Sequence, residues 1–385
     1  MSGRIVVLSE NIANKIAAGE VVERPASIVK ELLENSIDAG ADDIAVELAG
    51  GGQSIKIIDN GAGMEREDVP LAFARHATSK IYQFEDIYAV SSFGFRGEAL
   101  PSIASVARVE ILTRRRDDLA GTKAVVEGGR VREISPAGCP AGTQITVTDI
   151  FANVPARRKF LKTDVTEQSL CLDAITRLAL AHTNIRFTAK VNGRVSFSFP
   201  AATCLAERIN LVMGADFTAN SFSFAAKEDK INLTGFISRP EYTKSNARSI
   251  FLFVNRRFIR DAMLNHAVMS ACRQLIEARR YPACVLFIDL APEDVDVNVH
   301  PAKMEVRFKD SRLIYELVAK TIAQHLIRPP ADKSSFAYRL LPRERTADSF
   351  FQRSPGSMPP PAAGLFSRRN SDEAISHECL SRLVG

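Results

Sequence analysis

No tryptophan occurs in this chain, and its six cysteines lie far apart, without a CxxC pair or a Cys/His spacing that suits zinc. Scattered cysteines in a chain of 385 residues are typical of reduced side chains in a cytosolic protein and exclude a disulfide framework. The longest stretch without Asp, Glu, Lys or Arg, residues 134–148, contains two prolines and two glycines, so it is not a membrane span. The N-terminal apolar run is too short for a signal peptide. These absences predict a soluble, cytoplasmic protein.

The overall charge and composition exclude little by themselves. A formal net charge of +5 is compatible with nucleic-acid binding, but the position of the basic residues matters more than their number. No aromatic residues interleave with them in a way that indicates base stacking. A hydrophobic content of 46% indicates an ordinary globular chain, and its length suggests about two or three domains.

The pattern of helices and strands divides the chain into three parts. Residues 1–205 mix helical and strand patterns, and the Gly128-Gly129 pair predicts a hairpin turn. Residues 206–330 contain the predicted strands INLTGFIS, SIFLFVNRRFI and ACVLFIDL with the predicted helices DAMLNHAVMSACRQLIEARR and SRLIYELVAKTIAQHLI, a compact α+β pattern. Residues 331–385 hold five prolines and nine serines and are predicted to be a disordered linker. We expect either further protein after such a linker or a truncated form.

The most unusual local pattern is the polar edge of a predicted helix over residues 28–38. At 100° per residue, the helix has an apolar stripe formed by Ile28, Val29, Leu32, Leu33 and Ile37. Glu31, Asn35 and Asp38 are spaced i, i+4, i+7 and share one edge beside that stripe. A carboxylate and an amide on successive turns suit a water and Mg²⁺, which accepts oxygen ligands. The helix alone favours a solvated acidic edge, and both interpretations stay open.

Three further motifs follow the helix: DNGAGM at residues 59–64, RHATSK at residues 75–80 and FGFRGEAL at residues 93–100. Asp59 ends a predicted strand and can accept a hydrogen bond from an amine such as that of adenine, while Gly61 and Gly63 let the backbone approach a flat ligand. FGFRGEAL leads into a predicted helix whose N–H groups can face phosphate, although no Walker A sequence follows. Alone, each motif is more often a turn or an ordinary loop.

The order of these motifs, followed by GTQITVTDIF, resembles the ATP-binding fold shared by DNA gyrase, the Hsp90 chaperones, sensor histidine kinases and the MutL mismatch-repair proteins. Several segments are similar to MutL proteins specifically: IAAGEVVERPASIVKELLENSIDAGA, RHATSKI, GFRGEALPSIASV, NVPARRKFLK and VDVNVHPAKMEVRF. The resemblance covers roughly residues 4–328. It implies an α+β fold, in which a Bergerat-type ATP-binding α/β sandwich precedes a smaller ribosomal-S5-like transducer domain and a disordered tail.

The resemblance also implies ATP and Mg²⁺ as cofactors and gives the pocket residues their roles. Glu31 is the expected general base for the attacking water, and Asn35 is the expected Mg²⁺ ligand. Asp59 would bind the adenine amine, with Gly63 and Thr143 beside the base.

Residues 75–80 and 94–100 would form a lid that closes over the β- and γ-phosphates and orders only when the γ-phosphate is present. Asp38 either supports the pocket or has only a helix-end role. The predicted nucleotide-binding residues are Asn35, Asp38, Asp59, Gly61, Gly63, Thr78, Ser79, Lys80, Gly94, Phe95, Arg96, Gly97, Glu98, Ala99, Leu100 and Thr143.

A second catalytic residue is implied in the later part of the chain. Val295, Val297 and Val299 alternate with polar residues in a predicted strand that Pro301 ends. Lys303 then lies on a loop, and the resemblance implies that it reaches the γ-phosphate. Without the resemblance, Lys303 would be an ordinary surface residue.

Basic residues cluster at three places, residues 157–159, residues 256–260 and residues 279–280, and most such clusters are solvated surface. The resemblance implies a basic groove across a dimer, for which Arg256, Arg257 and Arg260 are the predicted DNA-binding residues. Binding to the DNA backbone would be independent of sequence and strongly dependent on salt.

The implied function is that of a slow ATPase, which acts as a nucleotide-switched dimeric clamp and couples mismatch recognition to strand incision and excision. The implied partners are a second copy of the chain, a MutS-type protein, DNA, and a downstream endonuclease or helicase, in a cytoplasmic, nucleoid-associated setting. Alternatives are the ATPase region of a type II topoisomerase and a scaffold that does not hydrolyse ATP. Many MutL proteins also carry a C-terminal dimerisation domain, some with a nuclease motif; this sequence shows neither, so no nuclease activity is expected from it.

Overall fold

The structure is a computed structural model that describes residues 19, 21–78, 80, 97–296 and 305–327. Its helices are α1 (Pro25–Asp38), α2 (Asp68–Leu71), α3 (Ala99–Val106), α4 (Pro155–Lys159), α5 (Asp164–Ala181), α6 (Leu205–Met213), α7 (Ala215–Ala219), α8 (Ala262–Cys272) and α9 (Ser311–Ile327). Strands β1 to β8 are Asp43–Ala49, Ser54–Asp59, Arg108–Arg114, Gly121–Glu127, Arg130–Ala137, Gly142–Thr148, Arg186–Val191 and Arg194–Phe199. Strands β9 to β17 are Ser221–Glu228, Ile231–Ser238, Thr243–Lys244, Ile250–Val254, Arg257–Ile259, Tyr281–Pro282, Cys284–Asp289, Val295–Asp296 and Arg307–Phe308.

The first sheet has eight strands in the order β5-β4-β3-β6-β2-β1-β7-β8. Its neighbouring strands are antiparallel except β1 and β7, which are parallel. Buried side chains alternate along β1 and β2, and this inner face shares one core with apolar residues of α1, α3 and α5. The predicted α/β sandwich is therefore confirmed, with the sheet in one layer and helices in the other.

The second sheet has five strands in the order β13-β12-β15-β10-β9, with β12 and β15 parallel. Apolar residues of α8 and α9 pack with it in a separate core. The strands predicted from INLTGFIS and ACVLFIDL are β10 and β15, and α9 has the bounds that the sequence pattern predicts. The second part of the chain is an α+β unit, as expected.

Three hairpins in the described ranges have two-residue turns with positive φ at both positions, the geometry that matches the twist of antiparallel strands. One is the turn at Asn192 and Gly193 between β7 and β8, with φ of 48° and 80°. The turn at Gly128 and Gly129, with φ of 59° and 75°, confirms the predicted hairpin between β4 and β5. The turn at Asn255 and Arg256, with φ of 46° and 64°, shows that the prediction of one continuous strand over residues 249–259 was wrong. Asn tolerates this conformation, and its side-chain Oδ1 accepts a hydrogen bond from Leu290 N at 3.0 Å.

The helix predicted over residues 261–280 is also too long, because α8 ends at Cys272. The Arg280 side chain donates to Thr243 Oγ1 at 2.8 Å and to the Thr243 carbonyl at 3.1 Å, contacts that fix this segment against β11. Arg279 has a positive φ of 64°, which ends helical geometry there. Tertiary contacts thus override the local helical periodicity.

A third apolar cluster packs helices α5, α6 and α7 against the second sheet. It is formed by Leu180, Ala181, Leu205, Ile209, Phe217, Phe236, Phe253, Ala283, Val285 and Phe287. Beside it, the fully buried Arg208 donates from Nη2 to the carbonyls of Thr183 and Ile185, at 2.8 and 2.6 Å. The predicted boundary at residue 205 falls within this cluster and stays a prediction.

The predicted tail, residues 331–385, and residues 297–304 lie outside the described residues. Within the described ranges, no helix is both long enough and apolar enough to cross a membrane.

Candidate active site

Asp59 is the central polar residue of the candidate pocket. It continues the buried face that Ile55 and Ile57 begin on β2, and it is 9% exposed. Its Oδ2 accepts a hydrogen bond from Ser36 Oγ at 2.8 Å, and its Oδ1 accepts from the backbone N–H of Gly61 at 2.9 Å. Burial raises the pKa of Asp59, and these hydrogen bonds partly oppose the rise.

Asp59 retains capacity to accept a hydrogen bond from a ligand. A carboxylate oxygen has about two lone-pair sites, and within the described residues Oδ2 accepts only the Ser36 hydroxyl. A third donor, the Thr143 N–H, lies 3.3 Å from Oδ1 on the neighbouring strand β6. The carboxylate is held in place by α1, β6 and the turn after β2, which suits recognition of an exocyclic amine.

Glycines allow the backbone to close tightly around this carboxylate. A Cβ on Gly63, where φ is +73°, would lie 2.2 Å from the Arg114 carbonyl, and a Cβ on Gly142, where φ is +113°, would lie 2.1 Å from the Asp59 carbonyl. A side chain on Gly61 would lie 2.9 Å from Ala39 Cβ. Gly61 and Gly63 therefore have close contacts within the protein, and the approach of their backbone to a flat ligand stays a prediction.

Replacing Gly142 with alanine is expected to lower the free energy of unfolding by roughly 1–3 kcal/mol, because its positive φ and its contact with β2 both exclude a Cβ. Urea denaturation measures the loss. Gly138→Ala is the matched control, since a Cβ there meets nothing within 4 Å. Equal midpoints for the two variants would contradict the geometry at Gly142.

Sequence reasoning missed two hydroxyl residues of the site, Ser36 and Thr113. Thr113 is fully buried; its Oγ1 lies 3.0 Å from Thr143 Oγ1 and accepts from Met64 N at 2.9 Å. Ser36 also donates weakly to the Leu32 carbonyl, at 3.2 Å. Thr143 on β6 pairs with Thr113 on β3 in the sheet. A correct prediction of the pairing between β3 and β6 would therefore have identified Thr113 as a site residue.

The polar edge of α1 is only partly solvated. Glu31 is 17% exposed at its side chain, and its Oε1 lies 3.1 Å from Lys30 Nζ. Glu34, which is not part of that edge, is 2% exposed and pairs with the same ammonium at 3.0 Å. Glu31 therefore lies beside a buried ion pair rather than in open solvent.

Lys80 connects the predicted lid to the predicted metal ligand. Its Nζ lies 2.5 Å from Asp38 Oδ2 and 3.5 Å from Asn35 Oδ1. The Lys80 ammonium thus occupies the position where the oxygen atoms of Asn35 and Asp38 would attract a cation. These two residues therefore fit a positive charge. Asp38 has a partner in the pocket, which favours the supporting role over the helix-end role.

The described parts of the predicted lid lie against one another. A Cβ on Gly97, where φ is +63°, would lie 2.2 Å from the Ala77 carbonyl, and His76 Nδ1 lies 3.8 Å from Glu98 Oε1. Thr78 Oγ1 accepts from Lys80 N at 3.2 Å. Ala99 and Leu100 begin α3 as expected. Five predicted site residues lie outside the described residues: Ser79, Gly94, Phe95, Arg96 and Lys303.

The predicted DNA-binding arginines have different surroundings. Arg256 occupies the tight turn between β12 and β13. Burial raises the pKa of Asp289, and the charge of Arg256 partly opposes the rise. Arg257 is half-buried. Burial raises the pKa of Glu34 on α1, and the charge of Arg257 is among those that oppose the rise. Arg260 is exposed.

Among the other basic clusters, Arg157 has a structural contact: it donates to the carbonyls of Val22 and Gly19 at 2.6 and 3.0 Å. This use of the guanidinium holds the segment before α1 against α4.

Comparison with known proteins identifies the class of this fold and site. Residues 23–127 match the family of histidine kinase-, DNA gyrase B- and HSP90-like ATPases. Residues 209–327 match the C-terminal domain family of DNA mismatch repair proteins. Helix α1, strands β1 to β4 and Asp59 thus lie in the part of the chain that matches this ATPase family.

Individual relatives narrow this class. The chain is 56% identical over 324 residues to the DNA mismatch repair protein MutL of Syntrophus aciditrophicus, covering 84% of this chain and 53% of that protein. It is 47% identical over 348 residues to MutL of Syntrophobacter fumaroxidans, covering 90% and 52%. The Aquifex aeolicus MutL ATPase domain, solved as a complex with ADP, is 29% identical with a TM-score of 0.56, covering 78% of this chain and 98% of that one.

The chain belongs to the MutL family of DNA mismatch repair proteins, and the resemblance inferred from its motifs is confirmed. It spans about half the length of the curated relatives that it matches.

Proposed function

We propose that the chain binds ATP together with Mg²⁺ and hydrolyses it slowly as part of DNA mismatch repair. The observation that carries this proposal is the buried Asp59 carboxylate, which is fixed by Ser36 and Gly61 and keeps an acceptor position for the amine of adenine. The relative from Aquifex aeolicus that was solved with ADP supports a nucleotide in this pocket.

The residues of α1 act on the phosphate side of the proposed pocket. Glu31 accepts the proton of the attacking water or orients that water, which a carboxylate within hydrogen-bond reach can do. Asn35 offers its amide oxygen to Mg²⁺. Asp38 holds the Lys80 ammonium away from the phosphates or releases it to them. When bound, Mg²⁺ would neutralise negative charge on the phosphates. Lys303 is proposed to complete the site from the second unit.

Lid closure would then make two chains pair, which gives the nucleotide-switched clamp. Residues 75–80 and 94–100 order over the γ-phosphate in this scheme, and hydrolysis releases them. The clamp would pass a signal from a MutS-type protein to a downstream endonuclease or helicase. The match of residues 209–327 to a mismatch-repair family favours this scheme over a type II topoisomerase.

Binding of the clamp to DNA is proposed to use the hairpin of β12 and β13. Arg260 is exposed and free to reach a phosphate, whereas Arg256 and Arg257 are half-buried. We expect these contacts to depend on salt rather than on base sequence, because they would neutralise backbone charge. In this proposal, residues 1–205 form the ATP-binding unit. Residues 206–330 form the transducer unit, which binds DNA.

Steady-state hydrolysis and size measurement test the function together. The purified chain is expected to release phosphate from ATP only with Mg²⁺ present, and to elute earlier from a sizing column with a non-hydrolysable ATP analogue than without it. No phosphate release would overturn the ATPase proposal. Equal elution volumes in the two conditions would overturn the clamp while leaving the ATPase intact.

A further inference from the structure

Helices α1 and α3 pack against each other and carry the groups that are proposed to act on the phosphates. Glu31 and Asn35 belong to α1, and residues 97–100 lead into the N-terminus of α3, whose N–H groups can face phosphate. Hydrolysis needs both sets of groups at one phosphate at the same time. The contacts that fix the two helices relative to each other therefore affect the reaction.

The end of α3 is fixed by the segment that follows β6. Phe151 N donates to the Val106 carbonyl at 2.8 Å, and Asn153 Nδ2 donates to the Ser105 carbonyl at 2.8 Å. Phe151 is fully buried and has a φ of 59°, a conformation that a bulky residue keeps only where its surroundings hold it. Residues 149–153 thus form a fixed support for the C-terminal end of α3.

Arg157 of α4 connects this support to the segment just before α1. Its guanidinium lies 5.6 Å from the centroid of the Phe151 ring. The same group donates from Nη1 to the Val22 carbonyl at 2.6 Å and from Nη2 to the Gly19 carbonyl at 3.0 Å. Val22 is fully buried and lies shortly before Pro25, the first residue of α1. One side chain thus joins the start of α1 to the end of α3.

The segment before α1 is closely fitted to this contact. A Cβ on Gly19 would lie 2.7 Å from Arg157 Nη2, closer than a Cβ normally approaches another heavy atom. Two carbonyls that face one guanidinium suit its planar fork, which an ammonium cannot match. The same segment is held at its other end by Arg24, whose Nη1 lies 3.5 Å from Oε1 of the buried Glu167. The hold of Arg157 therefore reaches α1 through a short, fixed length of chain.

We propose that Arg157 is a positioning residue for ATP hydrolysis, which keeps the helix of the proposed base and the phosphate-facing helix at a fixed spacing. The inference rests on the proposed roles of Glu31 and of residues 97–100. Because the spacing is set in advance, less freedom is lost when the transferred phosphate meets both helices. Arg157 acts through backbone carbonyls and Phe151, apart from the adenine contact at Asp59, so it influences the reaction and not the binding of the base.

The first test replaces Arg157 with methionine, which removes the donors and keeps a long side chain. We expect kcat to fall about tenfold, since two hydrogen bonds from a charged group are lost. The Kd for ADP is expected to stay within about twofold, because the adenine pocket is unchanged. Rates are divided by the number of ADP-binding sites, so that unfolded chains do not contribute. An unchanged kcat, or a Kd for ADP that weakens by the same factor as kcat falls, would overturn the inference.

The matched control is Arg158→Met. Arg158 is the next residue of α4 and is exposed, so its loss removes the same charge from the same helix and is expected to leave kcat unchanged. Arg157→Lys keeps the charge but loses the fork, and its kcat is expected to lie between those of wild type and Arg157→Met. A wild-type rate for Arg157→Lys, or an Arg158→Met chain as slow as Arg157→Met, would assign the effect to charge and overturn the positioning role.

The second test breaks the same contact from the other side, and it remains decisive if Arg157→Met does not fold. Gly19→Ala places a Cβ against Arg157 Nη2, the end of a flexible side chain that can move away, so the fold is expected to survive. Its kcat is expected to fall in the same way, and adding Arg157→Met is expected to give no further loss. Additive losses in the double variant, or a wild-type kcat for Gly19→Ala, would overturn the inference.

Loss of the positioning role is distinguishable from failure of the proposed function. If wild type does not hydrolyse ATP, the proposed function fails and the positioning role fails with it. If wild type hydrolyses ATP and Glu31→Ala is inactive, while Arg157→Met and Gly19→Ala keep the wild-type kcat, the ATPase stands and only the positioning role is wrong.

Discussion

Replacing Glu31 with alanine is expected to leave ATP bound and to lower kcat by about 10²- to 10⁴-fold, the usual contribution of a general base. Glu31 projects from the polar edge of α1, apart from the Asp59 carboxylate that would hold adenine. Loss of its carboxylate therefore removes an interaction with the attacking water and not with the base or sugar. Phosphate release measures kcat, and titration of nucleotide fluorescence measures the Kd.

The control for this experiment is Glu23→Ala. Glu23 is an exposed glutamate just before α1, so its loss changes the net charge equally but should leave both constants unchanged. A Glu31→Ala chain that hydrolyses ATP at the wild-type rate would mean that another group activates the water.

Replacing Asp59 with asparagine is expected to weaken ATP binding about 10- to 100-fold, because a hydrogen bond to a charged group contributes roughly 1.5–3 kcal/mol and about 1.4 kcal/mol corresponds to a factor of ten. The amide can still accept from the N–H groups of Gly61 and Thr143 through its oxygen. Its NH₂ group would occupy the position of Oδ2 and face the adenine amine donor to donor. Calorimetric titration with ATP measures the loss.

The same substitution is expected not to destabilise the fold at neutral pH. Since burial raises the folded-state pKa of Asp59 above its ordinary value of 3.8, the ionised carboxylate costs stability above that raised pKa. The wild type regains this stability as the pH falls through the raised pKa, so any advantage of Asp59→Asn shrinks in acid. Denaturation curves at neutral and acidic pH measure the difference.

For the binding prediction, wild-type affinity for ATP in Asp59→Asn would place the adenine contact elsewhere.

Local periodicity was enough to predict the parts of the site that depend on neighbours in sequence. The alternation of Ile55 and Ile57 on β2 puts Asp59 on the buried face, and the Asp59-Asn60-Gly61 sequence ends the strand there. The 3.6-residue period of α1 places Glu31 and Asn35 on one edge. The assignment of these residues to ATP, however, came from the family resemblance and not from their spacing.

What periodicity could not predict depends on contacts between distant segments. Glu34 lies away from the apolar stripe of α1, yet it is buried and pairs with the Lys30 ammonium at 3.0 Å. Thr113 joins the site only because β3 pairs with β6. The turn at Asn255 and Arg256 lacks glycine, so the run of apolar and basic residues around it gave the pattern of one strand.

The apolar cluster that packs α5, α6 and α7 against the second sheet has a consequence for how the chain can be divided. Leu180 from the end of α5 and Leu205 from the start of α6 share one buried cluster with Phe253 and Phe287 of the second sheet. Separating the chain at residue 205 would leave apolar side chains of both fragments in water, where apolar surface is unfavourable. The predicted boundary therefore lies within a buried apolar cluster to which residues on both sides of it contribute.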